Sequence, residues 1–222
     1  MIKIRSILFD IFFYCFSAFF LTIFLPFVLI FRRKAVLFIF KIWGSITAFA
    51  LKYIVGLTFK AENLIFPKEC IIACRHQSAW ETILISYLFG NTFVVVKKEL
   101  MRIPVYNLYV KLSEAIILDR GNAMSAARSL IQQAKEKRPL FIFPEGTRAN
   151  PDMPVKCQHG IAILYKKLDL PVYPITLNSG EFWGRRSFIK KPGNILVKGL
   201  TPIQPGLSRR DFITALEKSL SS

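Results

Sequence analysis

Cys70-Ile71-Ile72-Ala73-Cys74-Arg75-His76-Gln77-Ser78-Ala79-Trp80-Glu81 reads as a strand, a turn and the start of a helix. An apolar run with no polar alternation is what a strand covered on both faces requires, so it belongs to a sheet with helices packed against it. Ser78 followed three residues later by Glu81 is a capping box. The serine oxygen accepts from a backbone N–H of the first turn, and the glutamate reaches back to the serine's own N–H. His76 therefore stands at the carboxyl end of a strand, where alternating α/β folds gather their active sites.

The alternation continues downstream. Strands are expected over residues 92–96, 115–118, 140–143, 172–177 and 194–199, and helices over 78–89, 104–112, 123–136, 159–167 and 211–220. Ser208-x-x-Asp211 opens the last helix with a variant of the same box. The pattern predicts an α/β domain over residues 61–222, a mixed and largely buried sheet flanked by helices. The loop 149–157, with Pro151 and Pro154, is expected to be the mobile segment over the site.

Upstream, residues 11–31 carry no charge. At ~1.5 Å per residue they just reach across a bilayer core of ~30 Å. The run is too long for a cleaved leader, and no small-residue cleavage site closes it. Pro26 is expected to kink this helix near its end. A second apolar segment, 35–58, carries Lys41 and Lys52 eleven residues apart, close to three turns, hence on one face. It reads as an amphipathic helix lying in the membrane interface. Residues 1–60 thus form a two-helix anchor, whether the first helix spans or dips in and out. Arg32, Arg33 and Lys34 form the densest basic cluster and favour a cytosolic catalytic domain.

The bulk numbers agree with this division. The 222 residues hold one catalytic domain and a small appendage, 53% of them are apolar, and 21 are Phe. A net charge of +17 favours a polyanionic partner: anionic lipid, a phosphorylated substrate, an acidic carrier protein or nucleic acid. The four cysteines make no C-x-x-C pair and read as reduced thiols in a cytosol-facing protein. Cys70, Cys74 and His76 invite a metal reading, but no second ligand pair is present at zinc spacing. The even separation instead sets both cysteines on one buried strand face.

Chemistry concentrates in two blocks. His76 could take a proton from a substrate hydroxyl, with Glu81 accepting the other ring N–H and fixing the tautomer. That is a base and its orienter with the substrate alcohol as nucleophile, a triad without the enzyme serine. The capping box also explains Glu81 without catalysis. Residues five apart on a helix point about 140° apart, so the pair can meet only if His76 precedes the first turn, where the box puts it. The second block, Phe143-Pro144-Glu145-Gly146-Thr147-Arg148, ends an apolar strand. Gly146 lets the chain turn, and Arg148 offers a planar fork for phosphate. Glu145 could bind a substrate hydroxyl or hold that arginine, and a turn with a surface ion pair is the plainer alternative. Asp119-Arg120-Gly121 ends another strand, with Arg120 either structural or phosphate-binding, and Lys97-Lys98 adds to a solvated basic face.

Taken in order, these blocks resemble the membrane-bound 1-acyl-sn-glycerol-3-phosphate acyltransferases, or lysophosphatidic acid acyltransferases, of bacterial type. The His-x4-acid motif is matched by His76 and Glu81. A second motif runs from Lys98-Glu99-Leu100 through Ile103-Pro104 to Asp119-Arg120, a third is the block ending in Arg148, and a fourth is Leu170-Pro171-Val172-Tyr173-Pro174-Ile175. Asn178-Ser179-Gly180, Phe182-Trp183 and Pro192-Gly193 extend the likeness. The family more often carries aspartate at Glu81 and Gly-Trp at Asn107-Leu108. The resemblance implies that His76 and Glu81 are catalytic and that Arg120, Glu145, Gly146, Thr147 and Arg148 hold the phosphate of the acceptor. It implies an acyl thioester of acyl carrier protein or coenzyme A as co-substrate, and no metal or redox cofactor.

The expected function is acylation of lysophosphatidate to phosphatidate at the bacterial inner membrane, the catalytic domain facing the cytosol. Backbone amides near Ser78 are expected to cap the helix or to stabilise the oxyanion. Another acceptor is the alternative within the class: glycerol 3-phosphate, a lyso-ornithine lipid or another lysophospholipid. A non-catalytic tethered protein binding anionic lipid or nucleic acid would explain the charge but not the ordered motifs, so nucleic acid is not an expected partner.

Overall fold

The structure, a computed structural model, describes residues 1–118, 131 and 138–221. Its strands are β1 (Leu57–Glu62), β2 (Ile71–Cys74), β3 (Phe93–Lys97), β4 (Ile116–Leu118), β5 (Leu140–Ile142), β6 (Val172–Leu177) and β7 (Gly193–Gly199). They form one sheet in the order β1-β7-β6-β2-β5-β3-β4. Every pairing is parallel except β6 with β7, so the sheet is mixed as expected. The expected helix over 123–136 lies outside the described residues.

β2 is buried along its whole length. Its alternate residues feed two separate cores. Cys70, Ile72 and Cys74 pack with Trp80, Leu84 and Phe141 under α3 (Ala79–Phe89). Ile71 and Ala73 face Ile161, Tyr165 and Phe212 of α5 (His159–Leu168) and α7 (Arg209–Leu220). Each large side chain buried there contributes about 1.5–3 kcal/mol. The two thiols share a face, as the spacing requires. Their S–H groups lie 3.3 Å from the carbonyls of Pro67 and Arg75. Burial pushes Cys70 up to about 12 and Cys74 well above its ordinary value, so both stay protonated.

The N-terminal helices depart from the expected boundaries. α1 covers Ile2–Ile23, and α2 covers Leu25–Ala50 and continues through a π turn, Leu51–Val55. The first helical run is interrupted at Phe24, two residues before Pro26, and the proline sits in the first turn of α2, where its missing N–H is not needed. A second break falls at Arg32, with φ 47° and ψ −130°. It lets Arg33 turn toward the body, where its Nε lies 3.1 Å from Glu114 and a guanidinium N–H bonds Asn91.

Both stretches, Ile2–Ile23 and Leu25–Val55, are long and apolar enough to cross a membrane. They leave Ile4, Phe19, Ile30, Phe31 and Phe49 exposed, with Lys41 and Lys52 also outward. The other faces are fastened to the domain. A Cβ on Gly44 would come 2.9 Å from Tyr87, so glycine permits α2 to cross α3 closely. Trp43 donates to Ser17 at 2.9 Å, and Tyr109, on α4 (Tyr106–Leu112), donates to the Leu21 carbonyl at 2.8 Å. Near its start, α1 is held by Lys190. The Lys190 backbone N–H donates to Ser6 Oγ at 2.9 Å, and its buried ammonium meets Asp10 at 2.6 Å and the Trp183 ring at 4.5 Å.

Candidate active site

Three neighbouring strands, β6, β2 and β5, end together, and the segments leaving their carboxyl ends build the site. After β2 come Arg75, His76 and Gln77, then Ser78 as the cap of α3. Glu81 is 3% exposed and turns back to that cap. Its oxygens accept the Gln77 N–H at 3.2 Å and the Ser78 N–H at 3.1 and 2.9 Å. Ser78 Oγ accepts the Trp80 N–H at 3.2 Å, closing the box. Such a box contributes about 1 kcal/mol. These amides are taken by Glu81, so Ser78 serves as the cap and its N–H is not free for an oxyanion.

His76 lies before the first turn and does meet Glu81. Its Nδ1 is buried and faces Glu81 Oε2 at 3.5 Å, slightly beyond hydrogen-bond length, with no other bond among the described residues. The ring lies flat on Phe143, centroids 3.9 Å apart and planes 16° apart, which fixes its orientation. The capping and orienting geometries therefore coexist in one carboxylate.

After β5, Gly146 adopts φ 68°, which turns the chain and closes it with a 3.1 Å bond from its N–H to the Phe143 carbonyl. Glu145 is not found holding Arg148. It accepts the His76 backbone N–H at 2.7 Å and faces Arg75 Nε at 3.9 Å. Burial raises its carboxyl above the ordinary value, against the opposing pull of the His76 N–H and the Arg75 charge. Arg75 also donates to the carbonyls of Pro151 and Met153 at 3.1 and 3.2 Å. The loop expected to be mobile is thus tied to the strand end, and a bond from Ala149 N–H to the His76 carbonyl at 2.8 Å adds to this.

After β6, α6 (Ser179–Phe182) supplies a residue that the sequence placed in the Asn178-Ser179-Gly180 run but gave no role. Ser179 is fully buried and its hydroxyl donates to Glu81 Oε1. The next residue's N–H donates to the Gln77 side chain at 3.1 Å. That run, together with its position just beyond a strand's carboxyl end, was the signal available for it.

His76, Glu145, Gly146, Thr147 and Arg148 all line one cavity of about 1360 Å³. It runs from these polar groups past Ile83, Val94 and Tyr106 to Phe13, Leu21 and Trp43 of the N-terminal helices. That volume exceeds the ~300–1,000 Å³ of ordinary ligand pockets. The lining is thus polar around His76 and predominantly apolar elsewhere, with Ser17, Thr82, Thr92 and Ser113 among the exceptions. Arg120, expected on the phosphate, lies outside the described residues. Among those described, no three His, Cys, Asp or Glu side chains converge as for a metal ion.

The sequence pattern of the Acyltransferase family matches residues 57–178. The 1-acyl-sn-glycerol-3-phosphate acyltransferase of Pseudomonas aeruginosa is 31% identical over 81% of this chain and 70% of its own length. The enzyme of the same name from Cocos nucifera is 28% identical over 74% of this chain, which spans little more than half of it, 56%. In fold, the crystal structure of the 1-acyl-sn-glycerophosphate acyltransferase of Thermotoga maritima superimposes with a TM-score of 0.81, covering 100% of this chain and 95% of that one at 24% identity.

Proposed function

The chain belongs to the acyltransferase family, and from that premise we propose that it moves an acyl group from a thioester to the free hydroxyl of lysophosphatidate, giving phosphatidate. The observation that carries this reading is His76, braced by Glu81 and Phe143 at the junction of a polar pocket with a long apolar cavity. With Nδ1 turned to Glu81, Nε2 is left for the acceptor. It takes the hydroxyl proton as the oxygen attacks the thioester carbonyl, and Glu81 steadies the imidazolium. When the tetrahedral intermediate collapses, the imidazolium returns the proton to the leaving thiolate. Glu145 shapes the pocket by fixing the His76 backbone, and Arg148 and Arg120 hold the phosphate. The apolar arm suits acyl chains, each buried methylene contributing about 0.8 kcal/mol.

The exposed apolar side chains of α1 and α2, with the basic cluster at 32–34, support action at the bacterial inner membrane from the cytosolic side. The acyl donor is an acyl carrier protein or coenzyme A thioester, and no redox or metal chemistry enters these steps.

The deciding experiment offers the purified protein an acyl thioester and a panel of acceptors. Lysophosphatidate should be consumed fastest; preference for glycerol 3-phosphate or a lyso-ornithine lipid would overturn the acceptor assignment. Arg148→Ala should raise KM for lysophosphatidate by about tenfold or more, with a smaller change in kcat, as loss of one charge-assisted contact requires. An unchanged KM would remove Arg148 from the phosphate site. Ser179→Ala should lower kcat about tenfold at constant KM, because it removes one of the bonds that hold Glu81 Oε1 without touching substrate. Unaltered kcat would reduce Ser179 to a packing residue.

A further inference from the structure

We propose that the loop between α6 and β7, residues 184–192, is a second membrane contact that engages anionic phospholipid headgroups. It rests on the reading of α1 and α2 as a membrane anchor and adds to them a segment from the far end of the chain. The loop reads Gly184-Arg185-Arg186-Ser187-Phe188-Ile189-Lys190-Lys191-Pro192 and contains no acid. Phe188 is 53% exposed, and Arg185, Arg186 and Lys191 around it are exposed as well. An outward ring among outward cations fits an interface in which the ring enters the headgroup layer and the cations remain on phosphates.

The loop is held in shape. The Ser187 N–H bonds the Gly184 carbonyl at 3.1 Å, and the Trp183 indole N–H bonds the Ser187 carbonyl at 3.0 Å. Arg186 is kept at φ 59°, a left-handed conformation uncommon for a residue with a side chain. The Lys190 ammonium bonds the Phe188 carbonyl at 2.8 Å and Asp10 at 2.6 Å, seating the loop on α1. That helix exposes Ile4, Ile7, Leu8 and Ile11. Arg5 reaches the same seam: a Cβ on Gly56 would lie 3.7 Å from its Nη1 and 3.2 Å from Pro192. The loop is therefore continuous with the apolar face of the anchor and adds positive charge to its edge. An acidic protein would be met by the cations alone; the exposed ring beside that face favours a bilayer.

The test uses the full chain in proteoliposomes of neutral and anionic phospholipid, with p-benzoylphenylalanine placed singly at Phe188, at Ile7 on α1, or at Leu207 on the other face of the sheet. Irradiation should give lipid adducts at 188 and 7 and none at 207. Anionic lipid should be enriched several-fold over its mole fraction in the adducts at 188. Arg185→Ala with Arg186→Ala should bring that enrichment down to the mole fraction. Adducts at 7 but none at 188 would overturn the proposal and leave the anchor standing; adducts at neither would remove both. Enrichment unchanged by the two substitutions would overturn headgroup recognition. With acyl carrier protein added, adducts at 188 to that protein and none to lipid would reassign the loop to carrier docking.

Discussion

His76→Ala is expected to lower kcat by about a thousandfold, the scale of a well-placed general base, while membrane binding persists. The ring contributes to stability mainly through its stack on Phe143, so the variant should lose only about 1 kcal/mol and remain folded. Its backbone N–H still bonds Glu145, which preserves the turn. Single-turnover thioester consumption, measured with the unfolding midpoint, separates chemistry from folding. Turnover close to that of the parent protein would remove His76 as the base.

Glu81→Gln should cost about a hundredfold or more in kcat and also lower stability by about 1–3 kcal/mol, the penalty for mismatching buried polar groups. Both carboxylate oxygens accept backbone N–H groups, so either flip of the amide turns an NH2 toward a donor. Loss of stability alone would fit a helix cap with no part in catalysis. Ser78→Ala supplies the contrast. It removes the bond from the Trp80 N–H, costs a comparable fraction of stability, and leaves Glu81 opposite His76. Ser78→Ala should therefore keep most of its activity. If kcat falls equally in both variants, Glu81 acts through the helix only.

Much of the frame was legible because β2, β5 and β6 are short apolar runs whose burial leaves few other readings. The first strand was missed. Leu57–Glu62 lies at the sheet edge, carries Lys60 and Glu62, and comes so soon after the apolar helix that its first residues read as helix. The basic cluster at 32–34 did mark a real break, at Arg32, whereas the further interruption at Phe24, where the backbone stays near helical, carries no charge to announce it. In the site, the meeting of His76 with Glu81 could be inferred from spacing plus the cap. The roles of Arg75, Gln77 and Ser179 could not, since each binds a group distant in sequence, and no local pattern encodes such a partner.

The bond between Asp10 and Lys190 joins residues 180 positions apart. At ~5–20 residues per second of ribosomal synthesis, Asp10 waits roughly ten to forty seconds for its ammonium. During that interval the first helix can be delivered to its destination but cannot be locked to the sheet. Closing so distant a contact is entropically slow, which sets the locking of the first helix among the late events of maturation.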